Sequence, residues 1–196
     1  PKKKSRGMKI IESEVHQLAN KNNIEVFCPN TFDKNTIQIV KNLNPDLIIV
    51  MAYGKILPKE ILDIPSFGCI NIHVSLLPRW RGAAPIEHSL INGDKKTGIS
   101  IIKLIEKLDA GPIINQKKVD IEHDDNKYSL SEKLTKVGIK LLVETISLIF
   151  DKNISYSNQD DNYATYANKI SSEDRKIDFN KPVNEVLNLI RAHSPK

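Results

Sequence analysis

The 196-residue chain is 40% hydrophobic with a formal net charge of +5, enough for one sizeable α/β domain with an appendage. No apolar run reaches membrane-spanning length (the clearest, 47–53, is strand-sized), and the opening Pro-Lys-Lys-Lys-Ser-Arg-Gly has no apolar stretch of a secretory signal behind it. Cys28 and Cys69 form no CxxC pair, which fits a reducing compartment and argues against zinc, while the positive excess suits a polyanionic partner without establishing one.

From the N-terminus, Lys2, Lys3, Lys4, Arg6 and Lys9 gather around Ser5 and Gly7 without apolar periodicity. Such a run is a solvated basic loop or, read more sharply, an arm that contacts phosphates. Ser13, Val15, Leu18 and Ala19 suit a helix ending at the polar Asn20-Lys-Asn-Asn23, and residues 24–27 read as a short strand. Ile37, Val40 and Leu43 form one stripe of an amphipathic helix over 36–43, which Asn44-Pro45 stops. Residues 46–52 are continuously apolar after Asp46, the pattern of a strand in a parallel sheet covered on both faces. A Tyr53-Gly54 corner and a helix near 58–62 follow. Residues 69–74 read as a β-branched strand that opens into a loop rich in Pro, Arg and Gly. A helix over 85–91 closes at Asn92-Gly-Asp94, and strands over 98–104 and 113–121 flank a tight loop at 107–112. Leu130, Leu134, Val137, Leu141 and Leu142 define the buried side of a long helix over 129–150. Residues 151–161 are polar and linker-like, 163–170 extended or irregular, and a last helix spans 182–191 with Pro in its first turn. The expected organisation is therefore a domain over 1–150 and a linker with a helix over 151–196. Alternating strands and helices predict an open, mostly parallel α/β sheet.

The chemistry concentrates in residues 68–85. Side chains alternate along a strand, so Cys69, Asn71 and His73 share one face and Ile70, Ile72 and Val74 the other. A strand end that carries an amide and an imidazole into such a loop is where open α/β sheets keep their sites. Asn71 offers a donor for a carbonyl or a developing oxyanion, and His73 a donor or proton carrier near neutral pH. Asp109, in its Leu-Asp-Ala-Gly turn, would sit against the imidazole. Together the three suit acyl or formyl transfer: polarise a carbonyl, stabilise a tetrahedral adduct and move a proton. Sequence spacing alone does not bring them together, and satisfied core polar residues are the plainer reading. Competing chemistries lack their residues. Ser75 is in no G-x-S-x-G elbow, and Cys69 fits a small core residue better than a nucleophile. His16, His88, His123 and His193 are scattered and expected to be exposed, and no Gly-rich phosphate loop is present.

Asn71-Ile-His73 followed by Ser75-Leu-Leu-Pro78, with Leu108-Asp-Ala-Gly111 downstream, resembles the folate-dependent formyltransferases. The longer wording through Arg79-Trp-Arg-Gly-Ala-Ala-Pro-Ile86 is most similar to the members of that family that act on methionyl-tRNA. Ala52-Tyr-Gly54, Ile56-Leu-Pro58, Asn92-Gly-Asp94, Thr97-Gly98 and Thr165-Tyr-Ala-Asn-Lys-Ile170 point the same way, so the resemblance runs over essentially the whole chain. It implies a Rossmann-like formyltransferase fold, 10-formyltetrahydrofolate as co-substrate with no metal, and the α-amino group of methionine on initiator tRNA as acceptor. It also implies that Asn71, His73 and Asp109 are catalytic, that Ser75, Leu76, Leu77 and Pro78 contact the folate, and that Lys2, Lys3, Lys4, Arg6 and Lys9 grip the tRNA acceptor end. A cytoplasmic monomer with no membrane partner is expected. So are an opening strand–helix–strand upstream of Pro1 and a C-terminal β-barrel domain beyond Lys196, which would make the chain an internal piece. Val74 departs from the small residue or proline usual at its position. Two alternatives stay open: a small-molecule amine acceptor, such as glycinamide ribonucleotide or an amino sugar nucleotide, and a non-catalytic RNA-binding remnant.

Overall fold

The computed structural model describes residues 2–4 and 9–195, with side chains from residue 12 onward. The chain divides into two units, residues 1–39 and 40–196.

In the first unit β1 (Lys2–Lys4) pairs antiparallel with β2 (Lys9–Ile11), Lys4 opposite Lys9. The basic stretch expected to be a loop is thus partly a hairpin, in keeping with the β-branched Ile10 and Ile11; Arg6 lies outside the described residues. Helix α1 (Glu14–Lys21) begins where the Ser13 hydroxyl accepts from the His16 N–H. It ends in a Schellman arrangement at Asn23 (φ 56°), with Ile24 N–H donating to the Ala19 carbonyl at 2.9 Å and Asn23 N–H to the Asn20 carbonyl at 3.1 Å. Residues 24–27, expected to be a strand, pair with no strand among the described residues. A strand exists through its ladder, and the Ile24 N–H already closes the helix. Helix α2 (Lys34–Leu43), capped by Asp33 through the Thr36 N–H, stops at Asn44 (φ 44°) before Pro45.

The second unit holds a four-stranded sheet. In chain order its elements are β3 (Ile48–Val50), α3 (Lys59–Leu62), β4 (Cys69–His73), β5 (Arg81–Gly82), α4 (Pro85–Ile91), β6 (Lys96–Lys103), β7 (Ile113–Asp120), α5 (Lys127–Phe150), β8 (Tyr166–Ala167) and α6 (Val183–His193). The sheet order is β3-β4-β6-β7. Its parallel character is confined to the β3–β4 pair, because β6 runs antiparallel to both β4 and β7. Residues 104–112 are too short a connection for the crossover that a parallel β6–β7 pair would need. Strand β3 is shorter than the apolar run predicted it to be, and Ile49 is 43% exposed at this edge of the described sheet. The Asp46 carbonyl is instead taken by the Phe67 N–H, and Ala52 turns the chain away with φ 49°.

Strand β4 is buried throughout. Ile70 and Ile72 meet Leu90, Ile99, Ile101, Leu130, Leu134, Leu141 and Ile149 in one core. Burial of this apolar surface, at roughly 25 cal/mol per Å², anchors the strand that carries the site. A capping box between Asn126 and Ser129 starts α5 two residues earlier than the apolar stripe suggested. The stretch read as a linker packs back onto the domain. Ser157 and Ile113 exchange backbone hydrogen bonds at 2.8 and 2.9 Å, β8 pairs parallel with β5, and Ala192 of α6 joins the core. Its side chains are polar, but its backbone completes a sheet edge, and composition does not report backbone pairing. No helix among the described residues is long and apolar enough to cross a membrane.

Candidate active site

Strand alternation places Asn71 and His73 on one face of β4, opposite Ile102 and Ser100 of β6. Asp109 reaches them from the turn after β6, where it adopts φ 45°. Its Oδ1 accepts from Asn71 Nδ2 at 3.3 Å, and its Oδ2 lies 3.6 Å from His73 Nδ1 and accepts from the Gly82 N–H at 2.8 Å. All three side chains are buried. Gly82 is required here: at φ 120° an added Cβ would lie 2.7 Å from the Ala167 carbonyl oxygen of β8. His73 Nε2 is 2.8 Å from the Trp80 carbonyl. A carbonyl only accepts, so Nε2 carries the proton, and Nδ1 is left as the nitrogen that faces the carboxylate. The structure therefore brings together the three residues that sequence spacing could not.

The Ser75–Pro78 loop is held from inside. The Ser75 hydroxyl donates to the Arg79 carbonyl at 2.6 Å, and Ser100 Oγ donates to the Ser75 carbonyl at 2.6 Å. Leu77 N–H and Gln116 Nε2 both donate to Ser100 Oγ, at 3.0 and 2.7 Å. Ser75 and Leu77 are buried, so the side-chain surface of this loop comes from Leu76 and Pro78.

The three residues after the loop diverge. Arg79 forms a fork to Asp94 at 3.0 and 2.7 Å, and Trp80 Nε1 donates to the same carboxylate at 2.7 Å. The Arg79 guanidinium also stacks 4.4 Å from the Trp80 ring. Burial alone would raise the Asp94 pKa, but hydrogen bonds from Arg79, Trp80 and Asn92 outweigh it and hold the carboxyl below its usual range. Arg81 turns inward and is fully buried, giving Nε and Nη2 to Gln159 Oε1 at 3.1 and 2.8 Å and pairing with Asp161 at 2.9 Å. Gln159 was missed by sequence reasoning: one amide in a polar stretch carries no signal.

Other residues withdraw from the chemistry. Burial pushes the Cys69 thiol up to about 11, and its Sγ faces the carbonyls of Ile61 and Leu62, so it is a core residue. His16, His88 and His193, expected to be exposed, are half-buried, while His123 is exposed. His88 packs on Trp80 with ring centroids 5.4 Å apart, and His193 lies on the packed helix α6.

A folded α/β scaffold with a buried Asn-His-Asp set defines a class, and comparison with known proteins gives it a family. The family described as formyl transferase matches residues 1–146, and the chain belongs to it. It is 45% identical over 195 residues to a methionyl-tRNA formyltransferase of Fusobacterium nucleatum subsp. nucleatum, with 99% of this chain and 63% of that protein covered. Identity to the methionyl-tRNA formyltransferase of a Wolbachia sp. subsp. Drosophila simulans is 46% over 197 residues, covering 100% of this chain and 64% of the relative. The chain thus spans a little under two thirds of the length of these curated relatives. Among solved structures, a 4-N formyltransferase from Francisella tularensis matches with a TM-score of 0.75 at 23% identity, covering 90% of this chain and 70% of that one. An N-formyltransferase from Helicobacter canadensis in complex with folinic acid and dTDP-3-aminofucose matches with a TM-score of 0.74 at 21% identity, covering 98% and 68%. These likenesses establish the formyltransferase fold.

Proposed function

We propose that the protein containing this chain transfers a formyl group from 10-formyltetrahydrofolate to the α-amino group of methionyl-initiator tRNA. The observation that carries the reading is the convergence of Asn71 and His73 on the Asp109 carboxylate, at 3.3 and 3.6 Å. Identity of about 45% to methionyl-tRNA formyltransferases supports the acceptor.

An α-amino group with an ordinary pKa of about 8 is partly neutral at pH 7 and needs little activation. Its nitrogen bonds to the formyl carbon, the carbonyl becomes a tetrahedral oxyanion, and the bond from that carbon to the folate nitrogen breaks. The proton lost by the amine ends on the departing nitrogen, so formyl-amide and tetrahydrofolate balance the reaction. Asn71 aims one amide hydrogen at Asp109 and has a second for the oxyanion. His73 Nδ1 relays the proton, while Nε2 stays anchored on the Trp80 carbonyl. Asp109 holds the ring from the other side, its Oδ2 lying 3.6 Å from Nδ1.

The donor set suits a carbonyl centre flanked by nitrogen, and Leu76 and Pro78 offer the apolar surface for a pterin-like ring. Lys2, Lys3, Lys4, Arg6 and Lys9 act on the tRNA phosphates, residues 1–150 serve as the catalytic domain, and the enzyme works as a cytoplasmic monomer.

The test is formyl transfer by the natural full-length chain containing these residues, with initiator methionyl-tRNA and glycinamide ribonucleotide as competing acceptors. Transfer to the tRNA is expected. Transfer to the small amine alone would replace the acceptor, and RNA binding without turnover would overturn the reading. Within it, Asn71→Ala should lower kcat by roughly 10²–10³, the scale of one oxyanion donor; a near-wild-type rate would remove Asn71 from the mechanism.

A further inference from the structure

We infer that Gln159 is a positioning residue for Asp109, acting with the buried Arg81 to hold both the backbone and the carboxylate of that residue in place. The inference rests on the role given to Asp109 above.

Within itself the turn that carries Asp109 has little to hold it, although Lys107 at its start pairs with Asp161 and the Lys103 N–H donates to the Pro112 carbonyl at 2.9 Å. Ala110 N–H reaches the Lys107 carbonyl only at 3.3 Å, Leu108 is 53% exposed, and Asp109 itself sits at φ 45°. A non-glycine residue in that region is kept there by its surroundings. Gln159 supplies them: its Nε2 donates to the Asp109 carbonyl at 2.8 Å and to the Gly111 carbonyl at 2.7 Å. One amide thus spans the turn on both sides of Ala110.

The other end of the same side chain closes a circuit. Gln159 Oε1 accepts the two bonds from Arg81, and Arg81 is followed by Gly82, whose N–H donates to Asp109 Oδ2 at 2.8 Å. The path runs from the Asp109 backbone through Gln159 and Arg81 to Gly82, and returns to the Asp109 carboxylate. Strand β8 pins it further, since the Arg81 N–H donates to the Thr165 carbonyl at 2.9 Å. The residue type follows from this geometry. The position needs two donors for two carbonyls and one acceptor for a guanidinium, which a glutamine side chain provides. A glutamate keeps the acceptor and loses both donors, and an asparagine is one methylene short. With 0% of Arg81 exposed, its guanidinium depends on these partners.

Two variants test the inference in the natural full-length protein, each checked first for a native circular dichroism spectrum. In Gln159→Ala, kcat for formyl transfer should fall roughly 10–100-fold, the scale of a sub-ångström to ångström misplacement, with KM for both substrates changed less than about threefold. Gln159→Glu separates the two ends of the side chain. It should be at least as impaired as Gln159→Ala, because a carboxylate would face two carbonyl oxygens. A glutamate variant with wild-type kcat would mean that only the Arg81 contact matters and would overturn the inference. The second readout is independent of turnover: the Gly82 amide should exchange its hydrogen at least about tenfold faster in Gln159→Ala, followed by NMR. Unchanged exchange together with a kcat within twofold of wild type would also overturn the inference. If the wild-type protein does not formylate methionyl-tRNA, the proposed function fails by itself, and the Gly82 amide still decides whether Gln159 positions Asp109.

Discussion

Asp94, just before β6, and Asp109, in the turn after it, are both carboxylates that meet side chains from β4 or the segment following it, and they are satisfied in opposite ways. Asp94 accepts four short bonds, from Arg79 at 3.0 and 2.7 Å, Trp80 at 2.7 Å and Asn92 at 2.7 Å. Asp109 accepts one short bond, from a backbone N–H at 2.8 Å, and meets Asn71 and His73 at 3.3 and 3.6 Å. A carboxylate saturated by charge-assisted donors holds a loop in place. One whose side-chain partners stand off leaves those partners able to exchange a substrate group for it. The difference separates a residue that stabilises the fold from one that, in the proposed mechanism, serves the reaction.

The strongest way to break this contrast is Asp109→Asn. Formyl transfer should fall by at least about 10³, because His73 Nδ1 loses the carboxylate that orients it. Thermal stability should stay within about 1 kcal/mol of wild type, since site residues are seldom optimised for stability. Steady-state kinetics and a melting curve on the same sample check both halves, and a rate within tenfold of wild type would place Asp109 with Asp94.

Asp94→Ala should do the reverse. Loss of its bonds should cost about 2 kcal/mol in chemical denaturation, less than for a fully buried pair because Arg79 can rehydrate. The sign of its pH dependence follows from the lowered folded pKa. The stability Asp94 supplies is fully present above its unfolded value of 3.8 and is lost as the pH falls below that through the lower folded value. The gap between wild type and Asp94→Asn should therefore narrow below about pH 4, and a gap that widens there would contradict the hydrogen-bond account.

The smallest effect is expected at Cys69, which shares the face of Asn71 and His73 without sharing the role proposed for them. With its thiol pushed up to about 11, iodoacetamide at neutral pH should label the exposed Cys28 and spare Cys69 in the native protein. Cys69→Ala should keep kcat within about twofold and cost about 1 kcal/mol of stability. A large loss of rate would restore the nucleophile reading.

Local pattern was enough for several parts of this molecule. The alternation in Cys69–His73, the helix at Pro85–Ile91 and the leucine stripe of α5 each follow from spacing within one element, and the structure has them where the spacing put them. The face shared by Asn71 and His73 was legible for the same reason: a strand sets side-chain direction with a period of two residues. The short strand expected at 24–27 failed because a strand needs a partner, and β-branched residues do not supply one.

Tertiary structure decided the rest. Asp109 meets Asn71 across 38 residues, and Gln159 meets Asp109 across 50. No periodicity spans such distances; only the burial of the sheet against α5 brings these segments within hydrogen-bond reach. It also sent Arg79 outward to Asp94 and Arg81 inward to Gln159, though the sequence writes them two positions apart. The sequence by itself determined which side chains β4 presents and which chemistry they suit. Which carboxylate they face, and what holds it there, came from packing, because those hydrogen bonds join segments that are far apart in the sequence and adjacent only in the folded core.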